Sequence, residues 1–255
     1  MVSVIEDEKK GTARVILQNP PVNALNTELL VKLSTIIKDL EERKFRGFIL
    51  ESASPKVFCA GLDISELYNP SEEKITVLWK AFQTLWKTLY LTPLITVAAI
   101  NGHAPAGGCV LALSCDHGIM VKSGGIIGLN ETLLGFPAPK WVQLLLVNAC
   151  KLGKAEHSLK ISKLFTPQEA VEHDIVNELV DSSYLHSKAE EAMDKFLSIP
   201  VSSFTKTKLS MRKPFVDDLI SYQERDLEDV VGMFLHSETQ KMIGKYLESL
   251  KNKKK

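Results

Sequence analysis

The chain has 255 residues, of which 45% are hydrophobic and 24% are charged, as is typical of a folded globular protein. This composition excludes a chain that is disordered or collagen-like throughout. Lys and Arg together number 31, as do Asp and Glu, so the formal net charge of zero gives no general attraction to nucleic acid or to an acidic membrane. We also expect no membrane-spanning helix, because the apolar run from Leu94 to Ile100 is far shorter than the ~20 residues required.

The first half of the chain is predicted to alternate strands with helices, which is typical of an α/β fold with parallel strands. Thr27 is predicted to cap the first long helix and Ser71 the second, which carries an apolar stripe containing Trp79, Phe82 and Trp86. The predicted strands are 12–17, 45–52, 93–101 and 117–121, and the predicted helices are 27–43, 64–68, 71–90 and one beginning near 110.

The second half is predicted to be mainly helical after one short strand at 175–180. Thr166 and Glu169 have the spacing of a capping box, with a proline at the first helical position. Further helices are predicted to open at Asp181 or Ser182, at Ser203 and at Pro214. We therefore predict an α/β core at 1–181 and a helical extension of the same domain at 182–255.

The four cysteines show neither a C-x-x-C pair nor the spacing of a zinc finger. They lie among apolar or small residues, which favours reduced, buried thiols in an intracellular protein. A catalytic cysteine with a distant histidine stays open as the alternative. The cysteines are Cys59, Cys109, Cys115 and Cys150.

Two turns of small residues follow apolar strands and precede helices, at 58–63 (FCAGLD) and 101–109 (NGHAPAGGC). Small residues allow another group to approach the backbone closely, and the start of a helix leaves free N–H groups. Two such turns side by side would offer a pair of N–H donors to one oxygen atom, which is an oxyanion hole. Tight packing between helix and strand would demand the same small residues.

Motifs for the commonest cofactors are missing from the sequence: it has no P-loop, no H-E-x-x-H, no nucleophile elbow and no dinucleotide-binding glycine fingerprint after a strand. This disfavours a familiar metal, ATP or NAD enzyme. We therefore predict no metal site and no separate cofactor.

The chain resembles the crotonase (enoyl-CoA hydratase/isomerase) superfamily through four stretches in the right order: NPPVNAL (19–25), FCAGLDI (58–64), AAINGHAPAGGC (98–109) and GLNETLLG (128–135). Within it, the chain is most similar to the mitochondrial enoyl-CoA isomerases. The resemblance implies a spiral of ββα units with a C-terminal helical trimerisation region. It also implies a coenzyme A thioester as the substrate, so that coenzyme A is part of the substrate rather than a cofactor.

The resemblance also implies the site residues. It places the oxyanion donors at the backbone N–H groups of Ala60 and Gly107, and it places Glu131 as the catalytic residue. The substrate-binding residues that it implies are Ala60, Gly61, Leu62, Asp63, Ile64, Gly107 and Asn130.

One position separates two reactions of the superfamily. Its hydratases hold water with two glutamates, and the place of the first is taken here by Val110. Glu131 fills the place of the second. A single carboxylate suits the transfer of a proton between two carbons, so the resemblance implies isomerisation of 3-enoyl-CoA to trans-2-enoyl-CoA in β-oxidation of unsaturated fatty acids. We expect the apolar neighbours of Glu131 to raise its pKa.

Four other side chains have proposed places. Asp63 is predicted to cap the helix near Ile64, and Asp116 to lie just past a helix end. Phe136 and Trp141 are candidates for the acyl pocket.

Alternatives from the same fold are a 2-enoyl-CoA hydratase, a hydrolase or a dehalogenase. An RNA-binding or scaffolding member of the fold is the alternative from another class, and it would need a clustered basic face, for which only the Lys-rich tail at 251–255 is available. We expect a homotrimer or a dimer of trimers, with helix 71–90 and the C-terminal helices as contacts. A mitochondrial matrix location follows from the resemblance alone, with any targeting segment outside this chain.

Overall fold

A six-stranded sheet lies at the centre of the computed structural model, which describes residues 1–252. The strand order is β1-β2-β3-β4-β6-β8, and all pairs are parallel except β1 with β2. A second, two-stranded parallel sheet pairs β5 with β7. The strands are β1 (Val2–Asp7), β2 (Thr12–Leu17), β3 (Gly47–Ser52), β4 (Ile95–Ile100), β5 (Ala104–Pro105), β6 (His117–Val121), β7 (Ile127–Gly128) and β8 (Glu178–Val180).

Ten α-helices surround the sheets in residues 1–252. They are α1 (Thr27–Glu42), α2 (Ile64–Leu67), α3 (Glu72–Leu91), α4 (Gly107–Ser114), α5 (Lys140–Ala149), α6 (Leu152–Lys160), α7 (Pro167–Glu172), α8 (Leu185–Leu197), α9 (Val201–Leu235) and α10 (Ser237–Asn252). The α/β class, the parallel strands and the helical C-terminal region are confirmed. Two short 3₁₀ turns at 131–134 and 182–184 complete the regular structure.

The parallel strands at the centre of the sheet are buried on both faces and pack closely. All six residues of β4 are buried, which is why this strand reads as a continuous apolar run. Thr12 pairs with Gly47 in the β2–β3 ladder, and Gly47 pairs with Ile95 in the next ladder. A Cβ on Gly47 would stand 2.7 Å from the carbonyl oxygen of Ile95. The sheet therefore needs glycine at this position.

Four of the ten α-helices in residues 1–252 begin directly after a residue whose side chain caps them. Ser71 caps α3 by accepting the N–H of Lys74, and Thr166 and Glu169 form the predicted capping box. The prediction of Thr27 as a cap is wrong by one residue, because the side chain of Asn26 accepts the N–H of Leu29 at 2.9 Å.

The prediction that a helix starts at Pro214 is also wrong. Pro214 lies inside the 35-residue α9, which begins at Val201 rather than Ser203. The helix continues because it buries residues on both sides of the proline, Lys208 before it and Val216 and Leu219 after it. Packing on both sides offsets the backbone hydrogen bond that proline removes.

The helices after Asp181 share their core with the strands. Helix α8 lies on one face of the sheet, where Ala189 and Met193 pack with Val97 and Ile119. Helix α9 packs along α3 on the other side. The aromatic stripe of α3 is buried inside the chain, so its aromatic side chains are not available as a contact between copies.

A buried ion cluster fastens α9 to the end of α4. Asp116 follows α4, as predicted, and its two carboxylate oxygens lie 2.8 Å from Lys208 Nζ and 2.9 Å from Arg212 Nη2. Lys208 also donates to the carbonyl of Leu94, and Arg212 donates to the carbonyls of Ser114 and Cys115, the last residues of the α4 segment. The cluster holds in place the helix whose first residue is Gly107.

Candidate active site

The two turns of small residues pack directly against each other. Gly61 has a φ of +90°, and a Cβ there would stand 2.9 Å from the Cβ of Ala106. A Cβ on Gly108 would overlap the carbonyl oxygen of Cys59. Glycine is therefore required by the close approach of the turns, and this approach also brings their free N–H groups together.

The free N–H groups belong to Leu62 and Gly107. Gly107 is the first residue of α4, where an N–H has no partner within the helix. Among the described residues, neither N–H has an acceptor within hydrogen-bond distance. A Cβ on Gly107 would stand 3.3 Å from the nitrogen of Leu62, so the two segments lie side by side.

The prediction of Ala60 as an oxyanion donor is wrong. Its N–H donates to the carbonyl oxygen of Val22 at 3.1 Å. The positive φ of Gly61 turns the chain between Ala60 and Leu62, so that the free amide of this turn is that of Leu62. The sequence alone does not reveal which of the two amides is free, because Val22, which accepts the N–H of Ala60, belongs to the distant loop at 19–25.

A cavity of about 550 Å³ opens beside these amides. Its lining includes the exposed Pro20 and Pro21 as well as buried apolar side chains. Gly61 is the one predicted substrate-binding residue that does not line it. The predicted residues that do line it are Ala60, Leu62, Asp63, Ile64, Gly107, Asn130 and Glu131.

Glu131 presents a partnerless carboxylate oxygen to this site. It begins the 3₁₀ turn 131–134, which Gly135 ends with a φ of +87°. Its Oε2 is buried and has no hydrogen-bond partner among the described residues. Burial raises the pKa of Glu131 to about 7 from its ordinary 4.5, so the group can exchange a proton near neutral pH.

The apolar surroundings of Glu131 differ in part from the expected ones. Leu133 is 65% exposed and does not cover the carboxylate. Val110, Leu134 and Phe136 line the cavity with Glu131. Leu134 is the expected neighbour among these three. Phe136 follows it by two residues, and Val110 comes from α4.

Asp63 is the other carboxylate on the cavity wall, and it is already engaged. Its Oδ1 accepts the backbone N–H of Ser65 at 2.9 Å and the hydroxyl of Ser65 at 2.7 Å, which confirms the predicted helix cap. The side chain of Asn130 makes no hydrogen bond to the described residues and is available to a ligand. Glu131 is thus the carboxylate of this cavity that is free to act as a base.

The acyl-pocket candidates separate in the structure. Phe136 lines the cavity, as predicted. Trp141 is buried behind the wall, with its ring centroid 5.3 Å from that of Phe82 and 4.7 Å from that of Trp86. Local sequence patterns do not identify the cavity residues that come from distant helices, because only the folded chain brings them to the site. These are Trp79, Phe82, Met233, Phe234, Tyr246 and Leu250.

The cysteines do not fit the role of a nucleophile. All four are free and buried. Burial raises the pKa of Cys59 and of Cys115 to about 12, which keeps both thiols protonated at neutral pH. Burial also raises the pKa of Cys109 and Cys150. The thiolate that a catalytic cysteine needs is therefore disfavoured at every cysteine.

The described residues offer neither a metal cluster nor a membrane span. Within residues 1–252, no three His, Cys, Asp or Glu side chains are grouped so that they could hold a metal ion. The same residues include no helix with both the length and the apolar character needed to cross a bilayer. The basic tail that RNA binding would require runs into 253–255, which lie outside the described residues.

The chain is similar to known proteins over nearly its whole length. The family model described as enoyl-CoA hydratase/isomerase matches residues 7–255. Mouse mitochondrial enoyl-CoA delta isomerase 1 is 42% identical over 246 residues, covering 96% of this chain and 85% of the relative. A short-chain-enoyl-CoA hydratase of Clostridium acetobutylicum is 31% identical over 198 residues, covering 75% of this chain and 74% of the relative.

A solved structure supports the same relationship. The crystal structure of human mitochondrial delta3-delta2-enoyl-CoA isomerase superposes with a TM-score of 0.98 at 39% identity, covering 100% of this chain and 99% of that one. The fold and the sequence similarity identify the same family, and the paired free amides of the two turns fit it. The chain belongs to the enoyl-CoA hydratase/isomerase family.

Proposed function

We propose that the protein is an enoyl-CoA isomerase, which converts 3-enoyl-CoA thioesters, cis or trans, into trans-2-enoyl-CoA during β-oxidation of unsaturated fatty acids. The single free carboxylate of the cavity carries this proposal: Glu131 faces it, and Val110 occupies the position where a hydratase would need a second carboxylate. The similarity to delta isomerases over nearly the full chain supports the same reaction.

In the proposed mechanism, the thioester carbonyl oxygen accepts the N–H groups of Leu62 and Gly107. Glu131 removes a proton from C2, and the electron pair of that C–H bond moves into a C1–C2 double bond as negative charge develops on the oxygen. The two amides stabilise that charge, and removing one such donor typically costs about 10²–10³ in rate. The charge then returns through the conjugated system, a double bond forms between C2 and C3, and C4 takes the proton from Glu131.

The environment of Glu131 suits both halves of this cycle. A base with a pKa near 7 accepts a proton readily at neutral pH and also gives it up again. The wall formed by Val110, Leu134 and Phe136 is apolar and offers water no second carboxylate to orient it against the double bond. The absence of a second acid or base at position 110 therefore favours proton transfer over hydration.

A panel of thioesters tests this function. We expect wild-type protein to convert trans-3- and cis-3-hexenoyl-CoA into the conjugated trans-2 product, and to add water to crotonyl-CoA at least about 100-fold more slowly. The factor reflects the typical contribution of one placed acid or base. If hydration of crotonyl-CoA were the faster reaction, the protein would be a hydratase instead. If no thioester were turned over, both the isomerase and the hydratase assignments would be refuted.

We further propose that the protein assembles as a homotrimer or a dimer of trimers. Met211 and Phe215 of α9 line an open groove of about 700 Å³, and Met211 is largely exposed. Exposed apolar surface of this kind is typical of interfaces. Size-exclusion chromatography with light scattering measures the molecular mass of the assembly directly. A stable monomer would contradict this proposal.

A mitochondrial matrix location is proposed because delta isomerases similar to this chain are described as mitochondrial in mouse, rat and human. Cell fractionation with an antibody to the protein tests it. Recovery of the protein with matrix markers would support the proposal, and recovery in another compartment would oppose it.

A further inference from the structure

Aromatic side chains of α3 form part of the buried lining of the cavity. Trp79 and Phe82 line the cavity, and each is only 3% exposed. Pro20 and Pro21, by contrast, are exposed and line the same cavity. An acyl chain that enters on the exposed side and passes the paired amides would run toward the buried side of the lining, which includes Trp79.

A buried carboxylate fixes the ring of Trp79. The Nε1–H of Trp79 donates to Oδ2 of Asp226 at 2.8 Å, and the side-chain amide of Gln83 donates to the same oxygen at 2.7 Å. Asp226 lies on α9 and is 7% exposed. Within the described part of the chain, no Lys, Arg or His lies within ion-pair distance of it. The neutral donors of α3 are therefore its partners.

This arrangement is more than apolar packing requires. Burial of a carboxylate is unfavourable unless hydrogen bonds compensate. A phenylalanine in place of Trp79 would fill the core without needing a buried carboxylate as its partner. Trp79 also stands against Phe82 at 5.5 Å and Trp141 at 6.1 Å between ring centroids. Hydrogen bond and ring contacts together hold one orientation of the indole in the cavity wall.

We propose that Trp79 is the residue that limits acyl-chain length and that Asp226 is the positioning residue that holds it in place. This inference rests on the proposed function and names its substrate class: 3-enoyl-CoAs whose chains end before Trp79. Each buried methylene is worth about a fourfold gain in affinity, so kcat/KM rises along a series of chain lengths until the chain meets the indole. Beyond that length, kcat/KM falls.

The test measures kcat/KM for 3-enoyl-CoAs of six, eight, ten, twelve and fourteen carbons. In Trp79→Leu, we expect the optimum to move to longer chains and the ratio of long-chain to short-chain kcat/KM to rise by about tenfold or more, since two more methylenes can be buried. The ratio is internal to each variant, so a partly unfolded sample does not distort it. Trp79→Phe, a milder change, is expected to move the ratio in the same direction.

Asp226 is tested through rescue by a conservative variant. Asp226→Leu removes the acceptor and frees the indole, so we expect the chain-length profile to broaden toward longer chains. Asp226→Asn keeps a carbonyl oxygen for the indole N–H and is expected to restore the wild-type profile. Trp86→Leu is the matched control, because Trp86 lies on the same helix and in the same aromatic cluster but does not line the cavity. Its profile should keep the wild-type optimum.

The outcomes separate this inference from the proposed function. An unchanged ratio in both Trp79 variants, with wild-type protein active on 3-hexenoyl-CoA, would overturn the role of Trp79 and leave isomerisation standing. The same shift in Trp86→Leu would also overturn it. A wild-type protein without activity on any member of the series would refute the proposed function itself.

Discussion

The backbone nitrogen of Leu62 lies 3.3 Å from the position that a Cβ on Gly107 would occupy. These two residues come from turns 45 positions apart in the chain, and each contributes one N–H without an acceptor among residues 1–252. Their proximity depends on glycines that allow the turns to touch. This relationship gives two ordinary turns of an α/β fold the pair of free N–H groups that the proposed mechanism uses.

Gly108→Ala tests that contact. The added Cβ would overlap the carbonyl oxygen of Cys59, so the turns must separate and the two amides can no longer reach one oxygen. We expect kcat to fall by about 10²–10³, the cost of losing one oxyanion donor. Gly153→Ala in α6 is the matched control, because nothing lies within 4 Å of its added Cβ, and it should keep wild-type kcat. A Gly108→Ala variant with wild-type kcat would contradict the proposed role of the paired amides in the reaction.

Val110→Glu tests whether the lack of a second carboxylate favours isomerisation over hydration. The new side chain enters the cavity with Glu131, and together they could hold a water molecule. We expect hydration of crotonyl-CoA to rise by at least about tenfold over wild type, a modest part of what a placed acid or base can contribute. Val110→Gln, which has similar size but cannot take a proton, should not gain this activity. Equal rates in both variants would show that position 110 does not choose between the reactions.

The pKa of Glu131 predicts how activity depends on pH. Because the base must be ionised to accept a proton, kcat/KM should rise with pH and reach half of its maximum near pH 7. A pH profile measured on 3-hexenoyl-CoA checks this expectation. Half-maximal activity near pH 4.5 would indicate a solvated carboxylate with an ordinary pKa instead.

The same pKa makes a prediction about stability. The folded-state pKa of about 7 lies above the ordinary 4.5, so between these values the folded state binds more protons than the unfolded state. The free energy of unfolding therefore falls as the pH rises through this window. Glu131→Gln removes this cost and should be more stable than wild type at pH 8, by up to about 3 kcal/mol. Denaturant unfolding at pH 5 and pH 8 measures both proteins, and an equal difference at the two pH values would contradict the linkage.

The buried ion cluster is expected to matter for stability. Lys208→Met leaves Asp116 with one cation fewer in a buried site, and removing one partner of a buried pair costs about 3–5 kcal/mol. Lys213→Met breaks an exposed pair with Asp217 and should cost less than about 1 kcal/mol. Denaturant unfolding at one pH compares the two variants. Equal losses would show that the cluster adds nothing beyond a surface pair.

Local sequence signals predict the parts of this protein that local chemistry determines. Ser71, Asp63 and Thr166 cap helices as their side chains dictate, and the apolar run at β4 becomes a fully buried strand. Pro214 misleads, because contacts of α9 with a distant helix decide whether the helix continues. Sequence reasoning also misses β1, an edge strand whose partner, β2, supplies the pairing.

The candidate site shows the same division. Glu131 and Gly107 are predicted from their motifs, because these residues lie within short stretches that carry the resemblance, and both line the cavity. The choice between Ala60 and Leu62 depends on the carbonyl of Val22, which belongs to another loop. The sequence predicts Trp79 as a core residue, and neither its place in the cavity lining nor its hydrogen bond with Asp226, 147 residues away, follows from local sequence.

Turnover of 3-hexenoyl-CoA by Glu131→Gln tests the central claim most directly. The amide keeps the size of the side chain but cannot carry a proton between C2 and C4, so we predict that kcat falls by about 10²–10⁴ while thermal unfolding shows a folded protein. Near-normal turnover by this variant would contradict the claim that one carboxylate moves the proton.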